Sequence, residues 1–139
     1  MSIWFKEYDV DDIVTENTMV EHLGIKVTEL GEDYIVGTMP VDNRTKQPFG
    51  ILHGGASVAL AETLASYGGY LTINPEKYHV VGVEINANHL KMAKEGNVTG
   101  KCTPIKIGQS TQVWQTEIKN DNGELVCISR ITLMVLEKK

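Results

Sequence analysis

Long apolar runs are missing from this 139-residue chain. No stretch approaches the ~18–20 consecutive apolar residues of a membrane-spanning helix. The first residues, Met-Ser-Ile-Trp-Phe-Lys-Glu, also do not have the form of a signal peptide. These two absences predict a cytoplasmic protein with no membrane partner.

Cysteine is scarce, and the histidines are scattered. Cys102 and Cys127 are too far apart for a CxxC unit, and each lies in a strand-like stretch that favours a buried, reduced thiol. No two histidines have the HxxxH spacing of a helical zinc site, and none has a cysteine nearby. We therefore predict no metal site.

Basic residues are outnumbered, with 13 Lys and Arg against 18 Asp and Glu and a net charge of −5. This balance argues against nucleic acid as a partner, because binding to a phosphate backbone needs a basic surface. The exception is the segment 91–106, where four lysines accompany one glutamate. A local basic patch suits a small anionic ligand, although a solvated strand edge would look the same.

The chain length and a hydrophobic content of 42% predict one domain, spanning residues 1–139. A capping-box pattern, Thr18-Met-Val-Glu21, predicts a short leading helix. A long helix rich in small residues is predicted over 54–70, and its low charge suggests burial nearly all round. Strand patterns occupy 25–30, 34–40, 79–90, 97–107, 111–119 and 124–136. The expected fold is α+β, with one mostly antiparallel sheet curled around the long helix.

The most informative segment is 47–55, Gln-Pro-Phe-Gly-Ile-Leu-His-Gly-Gly, which runs directly into the long helix. The first turn of a helix has unpaired backbone N–H groups, and these favour an oxygen that gains negative charge. Glu62 is the only formal charge between Lys46 and Glu76. An isolated acid beside such a helix start points to attack on a carbonyl carbon.

The order of elements and three sequence features carry a family resemblance. These are the 47–55 segment, the acid at Glu62, and the later run Val-Gly-Val-Glu-Ile-Asn-Ala-Asn-His-Leu over 81–90. Together they resemble the hotdog-fold acyl-CoA thioesterases of the PaaI-like group. The branches most similar are those that hydrolyse 1,4-dihydroxy-2-naphthoyl-CoA in menaquinone synthesis and proofread enterobactin assembly. The resemblance implies hydrolysis of an acyl-CoA, aromatic or short and β-substituted, with no cofactor because CoA belongs to the substrate.

The resemblance also implies roles at the reacting carbonyl. Glu62 would attack the thioester or activate a water to do so, and these two routes stay open. Gln47 and the backbone N–H of Gly54 would hold the oxyanion. His53 and Ser66 would assist, and the alternatives are a structural histidine with its hydrogen bonds satisfied and a small residue that serves helix packing.

Binding residues follow from the same resemblance. Contacts to the pantetheine arm and nucleotide of CoA are expected from two strand residues, a histidine, two lysines and a turn, namely Val81, Gly82, His89, Lys91, Lys94, Gly108 and Ser110. Many relatives carry arginine where this chain has lysine, which removes bidentate phosphate recognition. Candidates for the apolar acyl pocket are Phe49, Ile51, Leu52, Val58, Tyr67, Met19 and Val20.

Glu62 lies eight residues past Gly54, about 12 Å along the helix at ~1.5 Å per residue, so it cannot serve its own helix start. Two helices packed antiparallel across a two-fold axis would bring each Glu62 to the other subunit's Gln47 and Gly54. We therefore expect a homodimer with shared sites, and the resemblance adds a dimer of dimers. The alternatives are a thioesterase for carrier-protein thioesters, a non-catalytic acyl-CoA-binding module, and a dehydratase or hydratase.

Overall fold

A computed structural model describes all of residues 1–139. Two helices and six strands follow a 3-10 turn at Val10–Asp12 in this order: α1 Met19–His22, β1 Lys26–Leu30, β2 Ile35–Pro40, α2 Gly54–Thr72, β3 Tyr78–His89, β4 Asn97–Ile107, β5 Thr111–Asn120 and β6 Leu125–Glu137. The predicted order of elements is confirmed, and the predicted boundaries differ by at most two residues.

The six strands form one sheet in the order β1-β2-β4-β5-β6-β3, with every neighbouring pair antiparallel. The chain leaves β2, runs along α2, and returns at the opposite edge of the sheet as β3. The predicted α+β fold with a sheet around one long helix is therefore confirmed. Both edges of the sheet, β1 and β3, have one side without a strand partner.

The contact between α2 and the sheet depends on glycine in the strands. Gly37 of β2 and Gly100 of β4 are register partners, and Leu64 of α2 lies over both. A methyl group added at either glycine would come within 2.7 or 2.8 Å of the Leu64 side chain. Leu64 is fully buried as a result.

Leu64→Ala should lower the free energy of unfolding by about 2–5 kcal/mol, because truncating a buried leucine leaves a cavity that the rigid sheet cannot fill. Urea denaturation at fixed protein concentration measures the loss. Leu136→Ala makes the same change at a side chain that is 37% exposed, and it should cost less than about 1 kcal/mol. Equal losses in the two variants would contradict this account of the core.

The prediction that α2 is buried nearly all round is wrong for this chain. Its buried residues form one face: Ala56, Ser57, Leu60, Ala61, Leu64, Ala65, Gly68, Gly69 and Leu71. Glu62 and Tyr70 on the opposite side are exposed, and Ala59, Ser66 and Tyr67 are half-buried. Small residues do not reveal which face of a helix is covered, because alanine and serine fit buried and open positions alike.

The first 23 residues, which we call the N-terminal strap, cross the hairpin turn and the end of α2. Trp4 stacks on the buried Trp114 with ring centroids 6.4 Å apart, and its indole N–H donates to the Gly31 carbonyl at 2.6 Å. The Phe5 N–H donates to the Leu71 carbonyl at 2.8 Å. Further along the strap, the expected capping box is half formed, because the Thr18 hydroxyl accepts from the Glu21 N–H.

The two cysteines are free and buried, as predicted. Burial raises the pKa of the Cys102 thiol to about 12, and a hydrogen bond with Thr116 offsets this only in part. Burial also raises the pKa of Cys127. Neither helix combines the length and hydrophobicity that crossing a bilayer requires.

Candidate active site

The loop between β2 and α2 holds Gln47 in a fixed orientation. The Gln47 backbone N–H donates to the Ile51 carbonyl at 2.8 Å. Its side-chain carbonyl accepts from the Phe49 N–H at 2.7 Å. The side-chain amide nitrogen then has no acceptor within the chain, so both of its N–H groups are free to donate.

His53 caps the start of α2. Its Nδ1 accepts from the Gly55 N–H at 2.8 Å, which places the proton of a neutral imidazole on Nε2. The Ala56 and Ser57 N–H groups both donate to the His53 carbonyl. The Gly54 N–H is thus the one backbone donor of the first turn without an acceptor in the chain.

A cavity of about 530 Å³, which we call the Gly54 cavity, opens at this helix start. Its lining includes Gln47, Gly54 and Ser57 from the loop and helix, and His89 and Lys91 from the end of β3. The His89 imidazole lies so close that a methyl group added at Gly54 would be 2.9 Å from its Nε2. Two free donors and an imidazole therefore share one space, and Gln47 and Gly54 line the same cavity.

The Gly54 cavity contains no carboxylate. Its one cationic side chain, Lys91, forms an ion pair of 3.3 Å with Glu124, and both side chains are about half exposed. Hydrogen bonds from Asn120 and Lys91 lower the pKa of the Glu124 carboxyl. The cavity can stabilise an oxyanion, but it has no acid or base of its own apart from His89.

Glu62 lies in a different cavity, of about 260 Å³, on the open face of α2. This Glu62 cavity is lined by Met19, Val20, Ala59, Glu62, Thr63, Ser66 and Tyr67. The carboxylate packs over β3, where a methyl group added at Gly82 would be 3.0 Å from its Oε2. Glu62 and Ser66 therefore lie together, as predicted, and apart from the donors at Gly54.

His53 lines a third cavity of about 250 Å³, the His53 cavity, together with Arg44, Lys46 and Met19. It adjoins the Glu62 cavity, because Met19 and Ala59 line both. The imidazole thus borders the groove along the helix and does not line the Gly54 cavity. Arg44 is engaged by Asp42 at 2.7 Å, and its guanidinium lowers the pKa of that carboxyl.

The expected CoA-binding residues are dispersed in one chain. His89 and Lys91 line the Gly54 cavity, whereas Lys94 lines a separate cavity beside Asp121. Gly108 and Ser110 lie in a cavity of about 710 Å³ that also contains Asn74 and Tyr78, beyond the other end of α2. Val81 and Gly82 lie on the β3 edge. One chain does not assemble these residues into one site.

Sequence reasoning missed Ser57 and Glu124. Ser57 is buried in the first turn of α2 and lines the Gly54 cavity. Ser57 could have been identified from the sequence by its position three residues after Gly54. A residue at this spacing lies in the first turn of the helix, beside whatever the helix start binds. Glu124 had no such signal, since it meets Lys91 only through the pairing of distant segments. No group of three or more His, Cys, Asp or Glu side chains comes together to hold a metal.

Comparison with known proteins places this arrangement in a family. The family model described as the thioesterase superfamily matches residues 49–127. The chain is 48% identical over 136 residues to the 1,4-dihydroxy-2-naphthoyl-CoA hydrolase of Escherichia coli, with 96% of this chain and 99% of that protein covered. It is 46% identical to the proofreading thioesterase EntH of Cronobacter sakazakii, at coverages of 96% and 98%. The chain belongs to the thioesterase superfamily and is a thioester hydrolase.

Solved structures agree. The crystal structure of thioesterase HI1161 from Haemophilus influenzae has a TM-score of 0.94 and 48% identity, covering 97% of this chain and 95% of that one. Thioesterase SAV0944 from Staphylococcus aureus has been solved as a glutamate-to-alanine mutant, with a TM-score of 0.84 and 40% identity, covering 86% of this chain and 99% of that one. It has also been solved as a glutamine-to-alanine mutant, with a TM-score of 0.82 and 40% identity, at coverages of 84% and 97%.

Proposed function

We propose that the protein hydrolyses acyl-CoA thioesters whose acyl group is aromatic or short and β-substituted, with Glu62 as the reacting carboxylate. The observation that carries this proposal is the separation of two half-sites. The Gly54 cavity has the free donors of Gln47 and Gly54 but no acid, and Glu62 lies open on the same helix without a hydrogen-bond partner in the chain.

The chemistry follows from these groups. The thioester carbonyl oxygen accepts from the Gly54 N–H and the Gln47 amide, and both contacts strengthen as that oxygen gains negative charge. The Glu62 carboxylate either attacks the carbonyl carbon, giving an anhydride that water then opens, or removes a proton from an attacking water. In both routes the C–S bond breaks, the electron pair leaves on sulfur, and the products are the free acid and CoA.

The proposed assembly is a homodimer in which each site takes Glu62 from one subunit and Gln47 and Gly54 from the other. The two sheet edges differ in a way that supports it. β1 is only five residues long and carries Lys26 and Glu29, features that discourage pairing. β3 runs over 12 residues with its Val81 and Val83 side chains exposed. Pairing of β3 with its twin would place two α2 helices side by side and antiparallel.

The same assembly accounts for the dispersed CoA residues. Gly108 and Ser110 lie beyond the C-terminal end of α2, opposite the Gly54 cavity. In an antiparallel pair, the end of one subunit's helix lies toward the start of the other's. We therefore assign these two residues, with Val81 and Gly82, to contacts with a CoA bound mainly by the other subunit, where His89 and Lys91 contribute. Association of two such dimers into a tetramer remains part of the proposal.

The mutants made in SAV0944 support the choice of residues. The glutamine and the glutamate replaced in that thioesterase are 15 residues apart in its sequence. Gln47 and Glu62 have the same separation in this chain. In this chain Gln47 precedes α2 and Glu62 lies within it, so both belong to one continuous loop and helix. The equal separation favours Gln47 and Glu62 as the equivalents of the two residues replaced in SAV0944.

A carrier-protein thioester is the second candidate substrate. The relative named as a proofreading thioesterase favours it. The pantetheine arm and the reacting carbonyl are common to CoA and carrier proteins, so the Gly54 cavity would serve both. The difference lies in what surrounds the phosphate end of the arm, and Lys91 is the one cationic side chain that lines the cavity.

The test is the rate of thiol release from matched thioesters. Benzoyl-CoA, a naphthoyl-CoA, a short β-hydroxyacyl-CoA and palmitoyl-CoA, with benzoyl carrier protein beside them, cover the proposed range. We expect fast release from the aryl or short β-hydroxy esters and kcat/KM at least about 10-fold lower for palmitoyl-CoA, since a pocket of this size discriminates by bulk. No release from any ester, with CoA esters still binding, would support a non-catalytic module instead.

A further inference from the structure

We propose that Met19, carried by the N-terminal strap, is a movable wall of the acyl groove and determines which acyl groups the enzyme accepts. This inference rests on the proposed function, because it assigns the groove beside Glu62 to the acyl part of the thioester. It concerns a side chain that contacts the substrate away from the reacting carbonyl.

The position of Met19 is the first argument. Met19 and Ala59 are the two residues shared by the Glu62 cavity and the His53 cavity. The two cavities thus adjoin as one groove on the open face of α2, and they meet at these two side chains. Alanine ends at Cβ and cannot move to widen the passage. Met19 therefore decides whether an acyl group is confined to the Glu62 cavity of about 260 Å³ or extends into the next one of about 250 Å³.

The second argument is that the backbone of α1 is fixed while the Met19 side chain is free. Val20 and Leu23 on the same turn pack against the core, and the Val20 carbonyl accepts from the Ile25 N–H at 3.0 Å. Met19 itself is 62% exposed. An unbranched thioether with three rotatable bonds adapts its shape to what lies beside it, so the wall can move without moving the helix.

The third argument is that contacts with α2 and the sheet hold the strap in place beside the groove. The Tyr67 hydroxyl, at the end of the groove, donates to the Val14 carbonyl of the strap at 3.2 Å. Trp4 anchors the other end of the strap on Trp114. The groove is thus bounded by α2 on one side and by the strap on the other, and Met19 lies five positions after the anchored Val14.

The first part of the strap is an addition that a related thioesterase lacks. The SAV0944 structure is matched over 99% of its length by only 86% of this chain. Its replaced glutamine and glutamate are both numbered 15 lower than Gln47 and Glu62. With these pairs equivalent, the offset of 15 corresponds to residues 1–15, which include Trp4 and Val14 but not Met19. The added segment therefore supplies the two contacts that hold the strap against Trp114 and Tyr67.

The volume indicates the class of acyl group. The Glu62 cavity is smaller than the ~300–1,000 Å³ of sites for drug-sized ligands, so it suits one small acyl group. Met19, Val20 and Tyr67 provide an apolar wall. With Met19 in place, a single aromatic ring fits beside Glu62, and longer acyl chains must displace the thioether.

The experiment compares Met19→Ala and Met19→Trp with the wild type on benzoyl-CoA, naphthoyl-CoA and decanoyl-CoA. The alanine variant should raise the ratio of kcat/KM for decanoyl-CoA over benzoyl-CoA by about 10-fold or more, within the ~10–200-fold range of hydrophobic pocket changes. The tryptophan variant should lower the same ratio. Inhibition by free CoA should not change, because Met19 does not line the Gly54 cavity.

Met134→Ala is the matched control, since Met134 on β6 is also exposed, at 42%, and lines neither cavity of the groove. Its ratio should equal that of the wild type. Ratios that stay unchanged in both Met19 variants, or rates that change by one factor for every ester, would overturn the inference. A wild type that hydrolyses none of the esters would instead contradict the proposed function.

Discussion

Glu62→Gln is expected to lower kcat by about 10²–10⁴-fold, the usual contribution of a general acid or base. Glutamine keeps the shape of the side chain but cannot attack a carbonyl or remove a proton from water. Because Glu62 is exposed and makes no hydrogen bond or ion pair in the chain, the melting temperature should remain unchanged. Thiol release under saturating substrate, with a thermal melt of the same sample, measures both.

Glu76→Gln provides the control for this experiment. Glu76 is an exposed carboxylate in the loop after α2, and its replacement changes the net charge by the same amount. Its kcat should match the wild type within about 2-fold, as for a surface change remote from the site. If Glu62→Gln retained the wild-type rate, Glu62 would have no part in the mechanism, and His89 would be the remaining base near Gly54.

Mixing two inactive variants is expected to restore activity. Gln47→Ala should lose about 10²–10³-fold through the missing oxyanion donor, and Glu62→Gln loses activity through the missing carboxylate. A mixed dimer with shared sites has one site in which Gln47 and Glu62 are both native. Random exchange in an equal mixture makes half of the dimers mixed, so activity should return to about one quarter of the wild-type value.

The design of this mixing experiment separates shared from unshared sites. Co-expression or joint refolding allows subunits to exchange, and thiol release is then measured at equal total protein. Each variant refolded alone is the reference. If each chain used its own Glu62 and Gln47, no mixture would exceed the sum of the two variants, and the proposed assembly would be wrong.

The fold could be predicted because each element has a strong local pattern. The strands β3 to β6 are 10 to 13 residues long, and α2 starts at a clear histidine and glycine boundary. The exposure of α2 could not be predicted, because its small side chains do not show whether sheet, solvent or a second chain lies beside them. That information lies in tertiary contacts such as Leu64 against Gly37 and Gly100.

The placement of candidate residues could be predicted within one local segment, but not where distant segments meet. Gln47, His53 and Gly54 follow one another in a single loop and helix start, so their neighbourhood is a local property. The free Gly54 N–H depends on how His53 caps the turn, which only geometry reveals. The ion pair of Lys91 with Glu124 depends on chain pairing between residues 33 positions apart.

The buried cysteines make the reaction easy to follow. A reagent that gives a coloured product with thiolates detects CoA as soon as it is released. Cys102, with its pKa raised to about 12, has almost no thiolate at the pH of such an assay, and Cys127 is shielded in the same way. The cysteines of the folded enzyme therefore do not react with the reagent, and a reaction at these cysteines would indicate unfolding.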